Sequence, residues 1–125
     1  MSKVLCIGDL MLDVICIIPS VPSELMVGND NVSRISTHGG GAAGNVASWL
    51  AKSGAETHIV GRVGHDSAGT ALVSELDELG VLHENLHVEG VNTGVVVVLV
   101  DPSGERTMLA ETGANSGLRI DDLPD

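Results

Sequence analysis

The chain changes its hydrophobic period at one place, Gly39-Gly40-Gly41. Before it, Asn31 to His38 alternates imperfectly, with Val32, Ile35 and Thr37 interleaved with Ser33, Arg34 and Ser36. Alternation by twos describes a half-exposed strand, which the three glycines then break. After them, Ala43, Val46, Ala47, Leu50 and Ala51 recur at steps of three and four. That period predicts a helix over Ala42 to Ser53, with Gly54 just past its end. Strand, glycine turn and helix in direct succession limit the chain to folds that mix the two element types.

The remaining segments extend the alternation of strand and helix. Lys3 to Gly8 is a continuous apolar run closed by Gly8-Asp9, which predicts a buried, parallel strand. Leu12 to Ile18 is a second apolar segment, ended by Pro19 and Pro22. Glu56 to Val63 reads as a strand closed by Gly64. Ser67 can cap a second helix with Ala68, Leu72, Leu76 and Leu79 on one face and Gly80 after it. Leu86 to Val88 reads as a short strand. Thr93 to Val100 and Glu105 to Ala110 read as a hairpin around Asp101-Pro102-Ser103-Gly104, whose Pro and Gly suit a type I turn. Thr112 to Gly117 reads as a loop, and Leu118 to Asp125 as the approach to another helix. Helices between buried strands predict an α/β layer with a parallel sheet. The amphipathic strands near 12–18, 32–38, 93–100 and 105–110 do not fit inside that layer and are expected to form a small separate sheet.

Composition narrows the partners. With 125 residues and 43% hydrophobic content, the chain can bury one core, and 18% charged residues argue against disorder. No apolar run approaches the roughly 18 residues of a membrane helix. Met1-Ser2-Lys3 leads into a short apolar stretch without a small-residue cleavage site, so no signal peptide is read and a cytoplasmic location is expected. Six basic against seventeen acidic residues give a net charge of −11, and the basic ones are scattered. Such a chain repels phosphate backbones, and without Phe or Tyr it offers no platform for bases, so nucleic acid is not an expected partner. The lone Trp49 is assigned to packing. Cys6 and Cys16 read as buried reduced thiols, and the five histidines show no zinc-type spacing.

Two places carry candidate chemistry. Gly39-Gly40-Gly41-Ala42-Ala43-Gly44-Asn45 leaves backbone N–H groups at a helix start, suited to an anion or a hydroxyl-rich ligand, and Asn45 adds a donor and an acceptor. A plain turn between packed elements explains the glycines equally well. Gly39, Gly41 and Gly44 also satisfy G-x-G-x-x-G, so a dinucleotide-binding turn stays open, although Arg34 and His38 make the preceding strand unusually polar for one. Asp13 lies inside the apolar stretch Leu10 to Ile18. A carboxylate there is costly unless it is paired, holds a ligand or sits on the solvent face of an edge strand. A third cluster, Gly61-Arg62-Val63-Gly64-His65-Asp66-Ser67-Ala68-Gly69, reads as structural turn glycines with an Asp or Ser cap.

Taken together, these residues resemble the N-terminal part of the ribokinase-like sugar kinases, the PfkB carbohydrate kinase family. Gly8-Asp9-Leu10-Met11-Leu12-Asp13 resembles the family's first strand and sugar-binding Asp. Gly40-Gly41-Ala42-Ala43-Gly44-Asn45-Val46-Ala47, with Leu50, Gly54 and the 61–69 cluster, resembles its N-terminal signature, and Thr93-Gly94 and Gly113-Ala114-Asn115 resemble further family elements. The resemblance implies a ribokinase-like, Rossmann-like parallel sheet with flanking helices plus a small β-sheet lid. It implies transfer of the γ-phosphate of ATP, with Mg²⁺, to a hydroxymethyl group of a sugar or nucleoside. Asp13, Gly40, Gly41 and Asn45 would bind that acceptor. Met11 and Ala42 stand where ribokinase has Asn and Lys, which puts ribose itself in doubt. The family's catalytic Asp, in a Gly-Ala-Gly-Asp turn, has no counterpart, since Asp121 and Asp122 lack that context. Residues 1–125 are thus expected to form a single partial domain with the C-terminal half absent. It would carry no catalytic, cofactor or metal residues and be inactive alone, with homodimerisation through the lid strands. The alternatives are a non-catalytic sugar-binding module and a dinucleotide-binding domain.

Overall fold

A computed structural model describes residues 2–84 and 86–124. It holds nine strands and two helices among them: β1 (Lys3–Ile7), β2 (Met11–Ile17), β3 (Arg34–Gly40), α1 (Ala42–Lys52), β4 (Glu56–Val60), β5 (Val63–Gly64), α2 (Ser67–Glu78), β6 (Leu82–His83), β7 (His87–Val88), β8 (Gly94–Val100) and β9 (Arg106–Glu111). They form three sheets, in the orders β1-β4-β6, β3-β2-β8-β9 and β5-β7. The first is parallel throughout, as a strand–helix–strand order requires. The second is the separate sheet expected from the amphipathic strands. Its centre is a parallel pair, Leu12 opposite Val95, flanked by the antiparallel partners β3 and β9.

The core lies between the parallel sheet and the helices. Cys6, Leu10, Ala43, Ala47, Ile59, Leu72 and Leu76 meet there. The small residues of α1 face inward: Ala43, Gly44 and Ala47 are buried, so the helix lies close to the sheet. Both helices end in paired backbone bonds. Ala55 and Gly54 N–H groups donate to the Leu50 and Ala51 carbonyls, and Val81 and Gly80 repeat this on Leu76 and Asp77. These bonds satisfy carbonyls left over at a helix end, and Val81 packs in the same buried cluster as Leu76.

Several expectations are corrected. Only Cys6 of β1 is buried, because α1 and α2 cover one sheet face and leave Leu5 and Ile7 exposed on the other. The strand predicted over Glu56 to Val63 splits at Gly61-Arg62, and Val63 leaves to bond Leu86 and join β7. Of the Asp and Ser caps open at the start of α2, Asp66 is the one used. Gly39 and Gly40 do not break β3; they pair with Leu12 and Met11 inside the ladder. Trp49 is 74% exposed, since α1 turns it away from the core, and Lys52 lies over its ring. Val95 to Val100 lies inside the second sheet, flanked by β2 and β9, so the lid strands left free at its edges are β3 and β9. The approach to a helix over Leu118 to Asp125 is a short 3-10 turn, Ile120–Asp122, with Asp125 outside the described residues. Cys6 is buried and Cys16 half-buried, both free, on different sheets. No helix among the described residues is long and apolar enough to cross a membrane.

Candidate functional site

Asp13 and Gly40 meet on the second sheet, and Gly41 and Asn45 follow where β3 runs into α1. Asp13 on β2 stands directly opposite His38 on β3, and two residues back Met11 stands opposite Gly40. Opposed residues of an antiparallel pair share a sheet face, with Cβ atoms about 4.5–5.5 Å apart. The Asp13 side chain turns onto the neighbouring Gly40. A Cβ built there would stand 2.5 Å from each carboxylate oxygen, so any residue but glycine displaces the carboxylate. The preceding glycine is occupied from the other face, where the Glu75 carboxylate of α2 fills the space a Cβ on Gly39 would need. The two glycines are therefore held between two acids, which explains glycine inside a regular strand.

Gly41 serves a different purpose. It adopts φ +88° where β3 turns into α1, a conformation favouring glycine. A Cβ there would collide with the Asp9 carbonyl and approach the Met11 nitrogen to 2.9 Å. The Asp9 carbonyl also accepts the Gly44 N–H of the first helical turn. The β1–β2 connection is thereby pressed against the helix start, and the packing explanation of Gly41 holds. Asn45 lies one turn into α1, exposed, its backbone N–H donated to Gly41 O. The structure thus joins Asp13 to Gly40 and places Gly41 and Asn45 next along the same segment.

Asp13 is half-buried, and no hydrogen bond or ion pair reaches its carboxylate among the described residues. Burial pushes its carboxyl above the usual carboxylate range, and the nearby His38 pulls it partly back. A desolvated acid without a partner is poised to accept hydroxyl hydrogen bonds from a ligand. His38 is exposed, and its Nε2 lies 3.2 Å from the Ser36 hydroxyl on the same strand.

Two polar networks set this geometry. The Asn115 amide clamps the β1–β2 connection: Leu10 N–H donates to its Oδ1 at 2.9 Å, and its Nδ2 donates to Leu10 O at 2.9 Å and Thr112 O at 2.8 Å. Sequence reasoning gave Asn115 no role of its own; the only signal was its place in Gly113-Ala114-Asn115. The second network centres on Asp66. It accepts Gly69 N–H, Thr93 N–H and the Thr93 hydroxyl, and Thr93 Oγ1 accepts Gly64 N–H. These bonds hold the Asp66 carboxyl below its ordinary range, the Thr93 hydroxyl contributing most. The start of β8 is thereby tied to the start of α2.

Two concavities lie among the described residues, and Asp13 lines neither. A cavity of about 20 Å³, room for about one water, lies on the Glu75 side of Gly39. A larger groove, about 450 Å³, runs past Leu5, His58, Leu82 and Asp122, away from the predicted residues. Among the described residues no three His, Cys, Asp or Glu side chains are placed to hold a metal ion. The dinucleotide reading of Gly39, Gly41 and Gly44 is overturned by topology. The strand that enters those glycines is an antiparallel edge of the second sheet, not a central strand of the parallel one.

Comparison with known proteins agrees with this arrangement. The chain is 45% identical over 99 residues to the bifunctional protein HldE of Magnetococcus marinus, covering 74% of this chain and 19% of that protein. It is 31% identical over 124 residues to the ATP-dependent ribose-1-phosphate kinase of Halopiger xanaduensis, covering 98% of this chain and 41% of that one. The ribokinase structure from Giardia lamblia superposes with a TM-score of 0.87 at 26% identity, over 98% of this chain and 39% of that one. The chain therefore has a ribokinase-like α/β fold and spans about two fifths or less of each of these relatives. Residues 1–124 match the pfkB family carbohydrate kinase, and the chain belongs to that family.

Proposed function

We propose that this chain supplies the acceptor-binding pocket of an ATP-dependent carbohydrate kinase that phosphorylates a hydroxymethyl group of a sugar or nucleoside. Asp13 accepts hydrogen bonds from sugar hydroxyls, Gly40 leaves the space in which its carboxylate lies, and Gly41 and Asn45 line the same pocket. The second sheet acts as the lid over the sugar, and its free edges β3 and β9 are where two copies would associate. The observation that carries this reading is the half-buried, unpartnered Asp13 carboxylate on Gly40. A carboxylate accepts two hydroxyl bonds at once, which suits a polyol. Phosphoryl transfer needs charge neutralisation around the phosphates. A Gly-Ala-Gly-Asp turn of the kind that resemblance to the family makes catalytic has no counterpart in residues 1–125, and the chain alone is proposed to be inactive.

The test is a titration of the isotopically labelled chain with D-ribose, D-fructose, adenosine and NAD. Backbone amide shifts at Asp13, Gly40 and Gly41 with a sugar or adenosine, lost in Asp13→Asn and Gly40→Ala, support the reading. Shifts with NAD alone, or none with any compound, overturn it. Sugar-dependent ATP turnover by the purified chain would refute the proposed inactivity.

A further inference from the structure

The site contains a second polar group that the family resemblance does not assign. His38 stands opposite Asp13 in the β2–β3 register and therefore shares its sheet face. The two do not bond each other, and their charged atoms are farther apart than an ion pair allows. An acceptor-only carboxylate and a donor–acceptor imidazole thus face the same side without bonding each other, and each is free to meet a different hydroxyl of one polyol. Ser36, two residues back on the same face, engages Nε2 and orients the ring. No bond to Nδ1 occurs among the described residues, so Nδ1 is left to meet a ligand. β3 is an edge strand and His38 is exposed, so its ring is open to solvent and has no packing duty.

We propose that His38 is a specificity-determining residue of the acceptor pocket, its Nδ1 binding a sugar hydroxyl adjacent to the one held by Asp13. This rests on the acceptor-pocket reading above. The substrate class it selects is a vicinal diol, with one hydroxyl for each residue.

The test compares wild type, His38→Ala and His38→Asn in the full chain, titrated with D-ribose and D-fructose and read by amide shifts at Asp13, Gly40 and Gly41. The Asn amide stands near the position of Nδ1 and can replace it. Removing one neutral hydrogen bond predicts that His38→Ala raises Kd roughly threefold to tenfold. His38→Asn returns it to within about twofold of wild type, a rescue that a purely structural role would not give. Sugar also shifts the ring ¹⁵N resonance of Nδ1 more than that of Nε2. The inference is overturned if His38→Ala binds like wild type, or if the Asn variant is as weak as the Ala variant while both keep dispersed, folded spectra. If wild type shows no sugar-dependent shift at Asp13 or Gly40, the acceptor-pocket reading itself fails, and this inference with it.

Discussion

Replacing Asp66 with Ala removes the one carboxylate that joins the start of α2 to the start of β8. The magnitude follows from the bonds lost. Gly69 N–H loses its helix cap, worth about 1 kcal/mol. Thr93, 3% exposed, is left with a largely buried N–H short of its partner, a penalty of about 2 kcal/mol. The expected loss is thus about 3 kcal/mol, roughly a hundredfold or more in the folding equilibrium. Asp66→Asn keeps one acceptor oxygen and should fall between the two. Urea unfolding at pH 7 followed by far-ultraviolet circular dichroism measures this; fluorescence is a poor probe, because the lone Trp49 is already exposed. The sign with pH is fixed as well. Asp66 has a depressed carboxyl in the folded chain, so its contribution is full above the unfolded value of about 3.9 and is lost as pH falls through the lower folded value. The gap between wild type and Asp66→Asn should therefore close in that acidic window. A loss below about 1 kcal/mol for Asp66→Ala, or a gap unchanged down to the acid transition, would mean that the Asp66 carboxylate does not hold α2 to β8.

Two other outcomes are expected. Asn115→Ala leaves the buried Leu10 N–H and carbonyl without partners, and should cost about 2–4 kcal/mol in urea unfolding and speed hydrogen exchange at Leu10. Asp13→Asn should abolish sugar-dependent shifts yet raise stability at neutral pH, because the raised carboxyl shows that its charged form is disfavoured in the fold. That gain should be full above the folded value, shrink as pH falls through it, and vanish below about 3.9, as thermal melts across pH can check.

Local periodicity revealed much of the element list, since α1, α2, β2, β8 and β9 fall within a residue or two of their predicted bounds. What it could not reveal is partnership. Nothing in Leu12 to Ile18 or Thr93 to Val100 says that the two pair in parallel, because the residues between them carry the register. Gly39 and Gly40 read as a strand break because glycine weakens a strand. The structure keeps them laddered because Asp13 and Glu75, distant in sequence, occupy the spaces beside them. Asp13 itself was legible as an acid in an apolar run. Asn115 was not, because a polar residue in a Gly- and Ser-rich stretch reads as solvent-facing loop until its partners at Leu10 are seen. The exposure of Trp49 was missed because an aromatic residue on a mostly apolar helix ordinarily points inward.

The parallel pairing of β2 with β8 has a consequence for how the chain is made. Leu12 meets Val95, 83 residues later. At a synthesis rate of about 5–20 residues per second, β2 waits on the order of 4–17 seconds for its partner to emerge. During that interval the run Leu12-Asp13-Val14-Ile15-Cys16-Ile17 has only β3 to pair with. A lone two-stranded ribbon is marginal in water, and its open, apolar edge invites pairing with other chains. Asp13 is the one charge within that run, and a charge in an apolar strand opposes such pairing between chains.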